Sequence, residues 1–248
     1  MWSKFSKRDK IILIVLNAFL LVGGLLKAYS DDYYRASLTC DKAMKSSETV
    51  EVQTLENGTI VFEPEQIKAG FIFYPGGKVE NKAYALLLRE CAEEGILCIT
   101  PKMPFHLAVF DMDAAEGIAE QYPEVKKWYI GGHSLGGAMA ASYLAEHQND
   151  FDGLVLMAAY STADLYFYEG EVLSVYGTLD GVLDMEKYRE YRYNLPEDYK
   201  ELVMERGCHS YFGSYGMQEG DAEHGFTLTE EEQRKRTVAF MVENLLKN

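Results

Sequence analysis

The sequence predicts an α/β domain with a mostly parallel central sheet flanked by helices, preceded by one N-terminal transmembrane helix. Three observations carry that prediction. From residue 70 onward, short apolar runs alternate with helix-compatible stretches, the pattern of buried strands separated by covering helices. The chain has 248 residues, 48% hydrophobic and 25% charged, enough to bury a core without disulfide or metal staples. Before all of this, IILIVLNAFLLVGGLL at residues 11–26 holds no charge at all.

The N-terminal stretch comes first. Sixteen helical residues rise about 24 Å, slightly short of the ~30 Å hydrocarbon core. Lys10 and Lys27 can snorkel, and Trp2 and Tyr29 can sit at the two interfaces. Lys4, Lys7, Arg8 and Lys10 precede the run, which predicts a cytoplasmic N-terminus and a body on the far side of the membrane. Two other readings stand beside the anchor. Small residues at Ala28 and Ser30 permit a signal peptide cleaved near Ser30, releasing a secreted body. A buried core helix is the third, although the apolar residues surround the helix instead of forming a stripe.

Charge divides the same way. The whole chain carries −15. Residues 1–30 contribute five Lys/Arg against one acid, leaving −19 on residues 31–248. So acidic a body is expected to have no nucleic-acid partner. Residues 31–48 are polar and read as a stalk, with the catalytic domain spanning 49–248.

Within that domain, TVEVQTL and TIVFEP alternate around Asn57-Gly58, a strong hairpin signal. Strands are expected at 70–74, 96–100, 127–131, 153–158, 172–177 and 201–206, and helices at 82–94, 110–121, 135–147 and 184–193. The last helix begins at Thr229, with Glu232 three residues on as a capping box. Cys40, Cys91, Cys98 and Cys208 show neither metal-ligand spacing nor a disulfide framework.

The chemistry begins where the strand ending at Gly131 turns into a helix through Gly132-His133-Ser134-Leu135-Gly136. G-x-S-x-G is a weak signal alone, but at a strand-to-helix turn it marks a nucleophile elbow, so Ser134 is the candidate nucleophile. A serine hydroxyl needs a positioned base, and the base needs an acid to orient it. Asp180 follows the strand 172–177, where it also reads as an Asp-Gly turn, and Asp184 is the nearest substitute. His209 follows the strand 201–206. His106, His133, His147 and His224 lie at worse positions for a base.

Two backbone donors are needed for a developing oxyanion. Leu135 N–H, directly after the serine, is one; the loop Tyr74-Pro75-Gly76-Gly77-Lys78 should supply the other from Gly76 or Gly77. Only thirteen residues, 159–171, separate the strands 153–158 and 172–177, too few for a large cap domain. Aromatic residues in the surrounding loops, among them Tyr74, Phe105, Tyr160, Tyr211 and Phe212, are candidates for lining an apolar substrate cleft, though packing on the sheet is an equal alternative.

These motifs carry a resemblance. FYPGGKVE, MPFHLAVF, GGHSLGGAMAA, LMAAYS, YGTLDG and FGSYGMQEGD make residues 70–248 resemble the α/β-hydrolase superfamily, and within it the bacterial fold-5 branch related to dienelactone hydrolases. The resemblance implies the triad Ser134, Asp180 and His209. With the oxyanion donors, that machinery predicts hydrolysis of a carboxylic ester of a small or acyl/aryl substrate through an acyl-enzyme on Ser134, with no metal or organic cofactor. Two residues depart from it: dienelactone hydrolases proper use cysteine where this chain has Ser134, and Cys208 stands where relatives commonly carry asparagine. Thioester cleavage, acyl transfer and peptide cleavage would use the same machinery, and a non-catalytic binding module on this scaffold is the alternative of another class.

Overall fold

The computed structural model describes residues 6–222 and 226–247; Trp2, Lys4 and His224 lie outside them. The chain divides into two compact units, Met1–Tyr33 and Tyr34–Asn248.

The first unit is one helix, α1 (Lys7–Asp31). Its apolar side chains are exposed, Phe19 at 79% and Leu20 at 71%, which sets aside the core-helix reading. Asn17, the polar residue inside the run, donates its amide to Leu13 O at 2.8 Å, satisfying part of its polar demand within the helix. By length and composition the helix could span a membrane or be a signal sequence.

The second unit opens with a segment that is not the polar stalk expected for residues 31–48. Tyr34 bridges Val79, and α2 (Cys40–Ala43) buries Cys40 and Ala43 against the domain. The small apolar residues there were hidden by their polar neighbours. Then come β1 (Val50–Thr54) and β2 (Ile60–Pro64), antiparallel around Asn57-Gly58, with Gly58 at φ 84°.

The rest alternates: β3 (Ala69–Tyr74), α3 (Ala85–Glu93), β4 (Ile96–Thr100), β5 (Trp128–His133), α4 (Leu135–Glu146), β6 (Gly153–Met157), β7 (Glu171–Gly177), α5 (Met185–Tyr191), β8 (Lys200–Met204) and α6 (Glu230–Leu245). The eight strands form one sheet in the order β1-β2-β4-β3-β5-β6-β7-β8, parallel from β4 through β8. Strand β3 shows why both faces must be covered. Phe71 and Phe73 pack with Leu87, Leu88, Val238 and Met241 from α3 and α6. Their neighbours Ile72 and Tyr74 pack with Ala140 and Leu144 of α4 on the other face.

Residues 110–121 depart from the expected helix; they form turns, with short 3₁₀ pieces at Ala108–Phe110 and Ala119–Gln121. Tyr74 accounts for the difference. Its buried hydroxyl donates to Met112 O at 2.6 Å and accepts from Ala115 N at 2.9 Å, taking groups an α-helical ladder would have paired. Thr229 caps α6 with the expected box, and residues 158–170 hold no helix and no cap domain.

Topology then locates the site. From β3 the chain crosses through α3 toward β4; from β5 it crosses through α4 toward β6, on the other face and in the other direction. The crevice outside the carboxyl ends of β3 and β5 is where such a sheet leaves room for a ligand.

Candidate active site

Ser134 lies at that crevice, between β5 and α4, with φ 52° and ψ −125°. An L-residue held there costs roughly 1–3 kcal/mol and persists only if its surroundings enforce it. Here they do. Ser134 N donates to Met157 O at 2.9 Å on β6, and Ala138 N closes the helix onto Ser134 O at 3.1 Å. The flanking glycines are required by close approach: a Cβ on Gly132 would sit 2.3 Å from Tyr74 O, and one on Gly136 2.2 Å from the same atom.

Asp180 follows β7 and His209 follows β8. His209 Nδ1 is 2.9 Å from Asp180 Oδ2 and 3.1 Å from Oδ1, and both side chains are buried. Val182 N and Leu183 N donate to Asp180 Oδ1 at 2.9 and 2.7 Å, which fixes the carboxylate. The other ring nitrogen, His209 Nε2, is buried without a hydrogen-bond partner among the described residues. Asp184 is occupied elsewhere: its carboxylate caps α5, accepting from Glu186 N and Lys187 N.

Serine and histidine share a cleft of about 320 Å³ with Met139, Ala159, Tyr160 and Leu183. Among the described residues its lining includes Asp184 but no Lys or Arg. A larger hollow of about 570 Å³ lies between α3 and α6, walled by Glu90, Val238 and Val242, and holds no nucleophile–base pair. Size alone does not find the site.

Of the aromatic candidates only Tyr160 lines the cleft. Tyr74 is fully buried and spends its hydroxyl on the 112–115 turn. Phe212 packs behind the site with its ring 5.5 Å from His133, Tyr211 beside it is not a lining residue, and Phe105 is half exposed on an outer loop. The sequence could not separate these, because each aromatic stands in a loop of the right end.

The loop after β3 distinguishes its glycines. Gly76 N donates to Tyr84 Oη at 3.0 Å, and Lys78 N donates to His106 O at 2.7 Å. Gly77 N has no partner among the described residues, and a Cβ at Gly77 would lie 3.1 Å from Leu135 Cδ2. Leu135 N, as the first residue of α4, has no intrahelical acceptor.

Three contributors were not foreseen. Asp221, in the segment before α6, is 4% exposed. Its Oδ1 accepts from His209 N (3.1 Å) and Gly181 N (3.2 Å), and its Oδ2 accepts from Ser210 N (2.7 Å) and Ser210 Oγ (2.6 Å). Burial alone would raise its pKa, but the bonds from Ser210, Gly181 and His209 outweigh it and hold the carboxyl below the ordinary value. Asp221 thereby ties the loop that carries Asp180 to the loop that carries His209. Gln233 of α6 grips the backbone of Cys208 from both sides, accepting from its N–H at 2.9 Å and donating to its C=O at 2.7 Å. The Cys208 thiol is pushed up to about 12, chiefly by burial, so it stays protonated at neutral pH.

The third is the pair Tyr84 and His133, both fully buried, with Tyr84 Oη 2.9 Å from His133 Nδ1. Tyr84 Oη also accepts from Gly76 N, so its hydroxyl bridges the loop after β3 to the His133 ring. Burial first, and then the neighbouring His209, lower the His133 pKa far below its usual value, so its ring is neutral. The two imidazole rings lie 4.4 Å apart.

No curated protein matches the chain. The crystal structure of TT1662 from Thermus thermophilus superposes with a TM-score of 0.59 over 80% of this chain and 99% of that one. At 20% identity that likeness establishes the fold alone. Residues 70–235, containing the elbow, both later loops and the start of α6, match the Alpha/beta hydrolase family. With two thirds of its length inside that match, this chain belongs to the alpha/beta hydrolase family.

Proposed function

We propose that the chain is a serine hydrolase cleaving a neutral carboxylic ester of a small or acyl/aryl substrate through an acyl-enzyme on Ser134, and that α1 anchors it in a membrane with the catalytic domain outside the cytoplasm. The observation that carries the enzyme reading is the pairing of a buried, unpartnered His209 Nε2 with a strained Ser134 in one cleft, while Asp180 holds the other nitrogen.

In this mechanism Ser134 Oγ attacks the carbonyl carbon as its proton passes to His209 Nε2. Asp180 keeps the imidazole proton on Nδ1 and stabilises the imidazolium. The N–H groups of Leu135 and Gly77 receive the oxyanion; Gly76 is committed to Tyr84. Collapse expels the alcohol, protonated by His209, and water repeats the sequence to release the acid. The chemistry asks for no metal or organic cofactor. An apolar cleft whose one charge among the described lining residues, beyond the proposed catalytic groups, is a carboxylate favours neutral acyl groups over substrates bearing an acid.

Ser134→Ala should lower turnover of a short aryl ester at least ~10³-fold with unchanged thermal unfolding. A wild-type protein that is folded yet not labelled by a fluorophosphonate would instead mean a binding module on a hydrolase scaffold. The orientation is read by protease added to intact cells: a protected body reverses it.

A further inference from the structure

The chain enters the domain beside its own candidate active site. Tyr34 N donates to Lys78 O at 2.7 Å, and Glu80 N donates back to Tyr34 O at 3.0 Å. The following residues stay on that rim: Ala36 N bonds Glu80 Oε2, and Ser37 N bonds Ser214 O in the loop after His209. Lys78 is next to Gly77, and its N–H is bonded to His106 O. One residue's backbone thus joins the incoming chain on one side to the loop 104–112 on the other.

That loop presents apolar side chains to solvent. Phe105 is 50% exposed, Phe110 is 61% exposed, and Val109 and Met112 are exposed beside them. Phe105 and Phe110 pack edge to face with centroids 5.7 Å apart, on each other instead of on the core. Two successive left-handed residues, Phe105 at φ 53° and His106 at φ 57°, shape the turn that carries them. Leu38, four residues past Tyr34, is exposed as well. Only residues 32 and 33 separate the end of α1 from Tyr34, a tether whose covalent reach is about 10 Å.

We propose that the loop 104–112 docks into the surface of the lipid bilayer that holds α1, so that the cleft opens onto the membrane and its ester substrates are amphiphiles resident there. This rests on the anchored serine-hydrolase reading above and adds the partner surface and the substrate class. The occupant is the bilayer because the loop 104–112 is hydrogen-bonded through Lys78 to Tyr34, three residues past the end of the apolar helix. A protein groove would require its own complementary partner, whereas the tether delivers the bilayer to this rim. The strongly acidic body makes a zwitterionic surface the appropriate probe.

The test uses the full-length chain in phosphatidylcholine vesicles. The four native cysteines are buried, so a nitroxide can be placed selectively on Val109→Cys and, as a control at the opposite end of the domain, on Asn149→Cys. The label at 109 should relax more with oxygen than with an aqueous nickel chelate, and the label at 149 the reverse. Equal nickel accessibility at both positions overturns the docking. Independently, Val109→Ser/Phe110→Ser should slow hydrolysis of a medium-chain diacylglycerol dissolved in the vesicles at least tenfold, and change turnover of a water-soluble aryl acetate less than twofold. Equal losses, or none, overturn it too. The nitroxide result does not depend on catalysis, and Ser134→Ala with undiminished turnover of both esters would remove the hydrolase reading while leaving the docking to be judged on accessibility.

Discussion

The serine is held by backbone crowding: Gly132 and Gly136 let β5 and α4 press against Tyr74 O, and the elbow has nowhere else to go. The histidine is held by side chains further along the chain: Asp221 accepts from the His209 N–H, and Gln233 grips the backbone of Cys208 just before it. The first construction is local and steric, so it leaves a compact sequence motif. The second is non-local and polar, and its donors and acceptors are scattered through a segment with no periodicity to reveal them. Both deliver a side chain to the same cleft, but they should fail differently when disturbed: crowding fails all at once, and a hydrogen-bond network fails by degrees.

The largest effect is therefore expected at the elbow. Gly136→Ala places a methyl carbon 2.2 Å from Tyr74 O and 2.3 Å from Pro75 O, both backbone atoms that cannot swing away. Overpacking of this kind costs ~3 kcal/mol or more, and in a domain of this size each kcal/mol lowers Tm by roughly 2–4 °C. A loss near 10 °C in thermal unfolding, together with loss of hydrolysis, is the expected outcome. A variant with wild-type Tm would show that the elbow can relax and that crowding is not what positions Ser134.

A graded effect is expected at the other construction. Asp221→Asn keeps the shape but replaces an acceptor oxygen with a donor facing N–H groups, at a cost of about 2–3 kcal/mol. Because its bonds reach Gly181 and His209, Asp221 is a positioning residue: kcat should fall about ten- to a hundredfold with KM little changed. Stability against pH gives a second readout. The carboxyl is held below its ordinary value in the fold, so its contribution is complete above pH ~4 and is lost as pH falls through the lowered value. The wild type should show that acid loss, and the variant should lack it. A variant with the wild-type acid limb, or a rise in KM with unchanged kcat, would remove Asp221 from this role.

The same contrast explains what could be read from the residues alone. The parallel strands, the β1–β2 hairpin and the Thr229 box were legible because periodicity, Asn-Gly and T-x-x-E are short-range signals. So was the end of the sheet to which Ser134, Asp180 and His209 converge, since strand ends are fixed by the alternating pattern. Residues 110–121 misled because their composition suits a helix, while one distant hydroxyl, Tyr74, decides the outcome. Residues 34–48 misled in the opposite direction: Cys40 and Ala43 are too few to announce a buried face. The choice between Gly76 and Gly77 turned on Tyr84, which no spacing rule connects to either.

The smallest effect separates two neighbouring acids. Asp184 borders the cleft and stood as the substitute for Asp180, yet its carboxylate is engaged with Glu186 N and Lys187 N, each at 3.1 Å. As an N-cap it contributes about 1 kcal/mol, so Asp184→Ala should lower Tm by a few degrees at most. Hydrolysis of a neutral aryl ester should stay within about threefold of wild type, because the imidazole keeps its bond to Asp180. An ester carrying a carboxylate should gain relative to the neutral one, since removing the cleft's acid removes a repulsion. Kinetics of the two esters on one preparation decide the matter. If instead hydrolysis of both collapses by orders of magnitude, the acid of the triad is Asp184, and the hydrogen-bonded arrangement at His209 is a resting geometry that the reaction abandons.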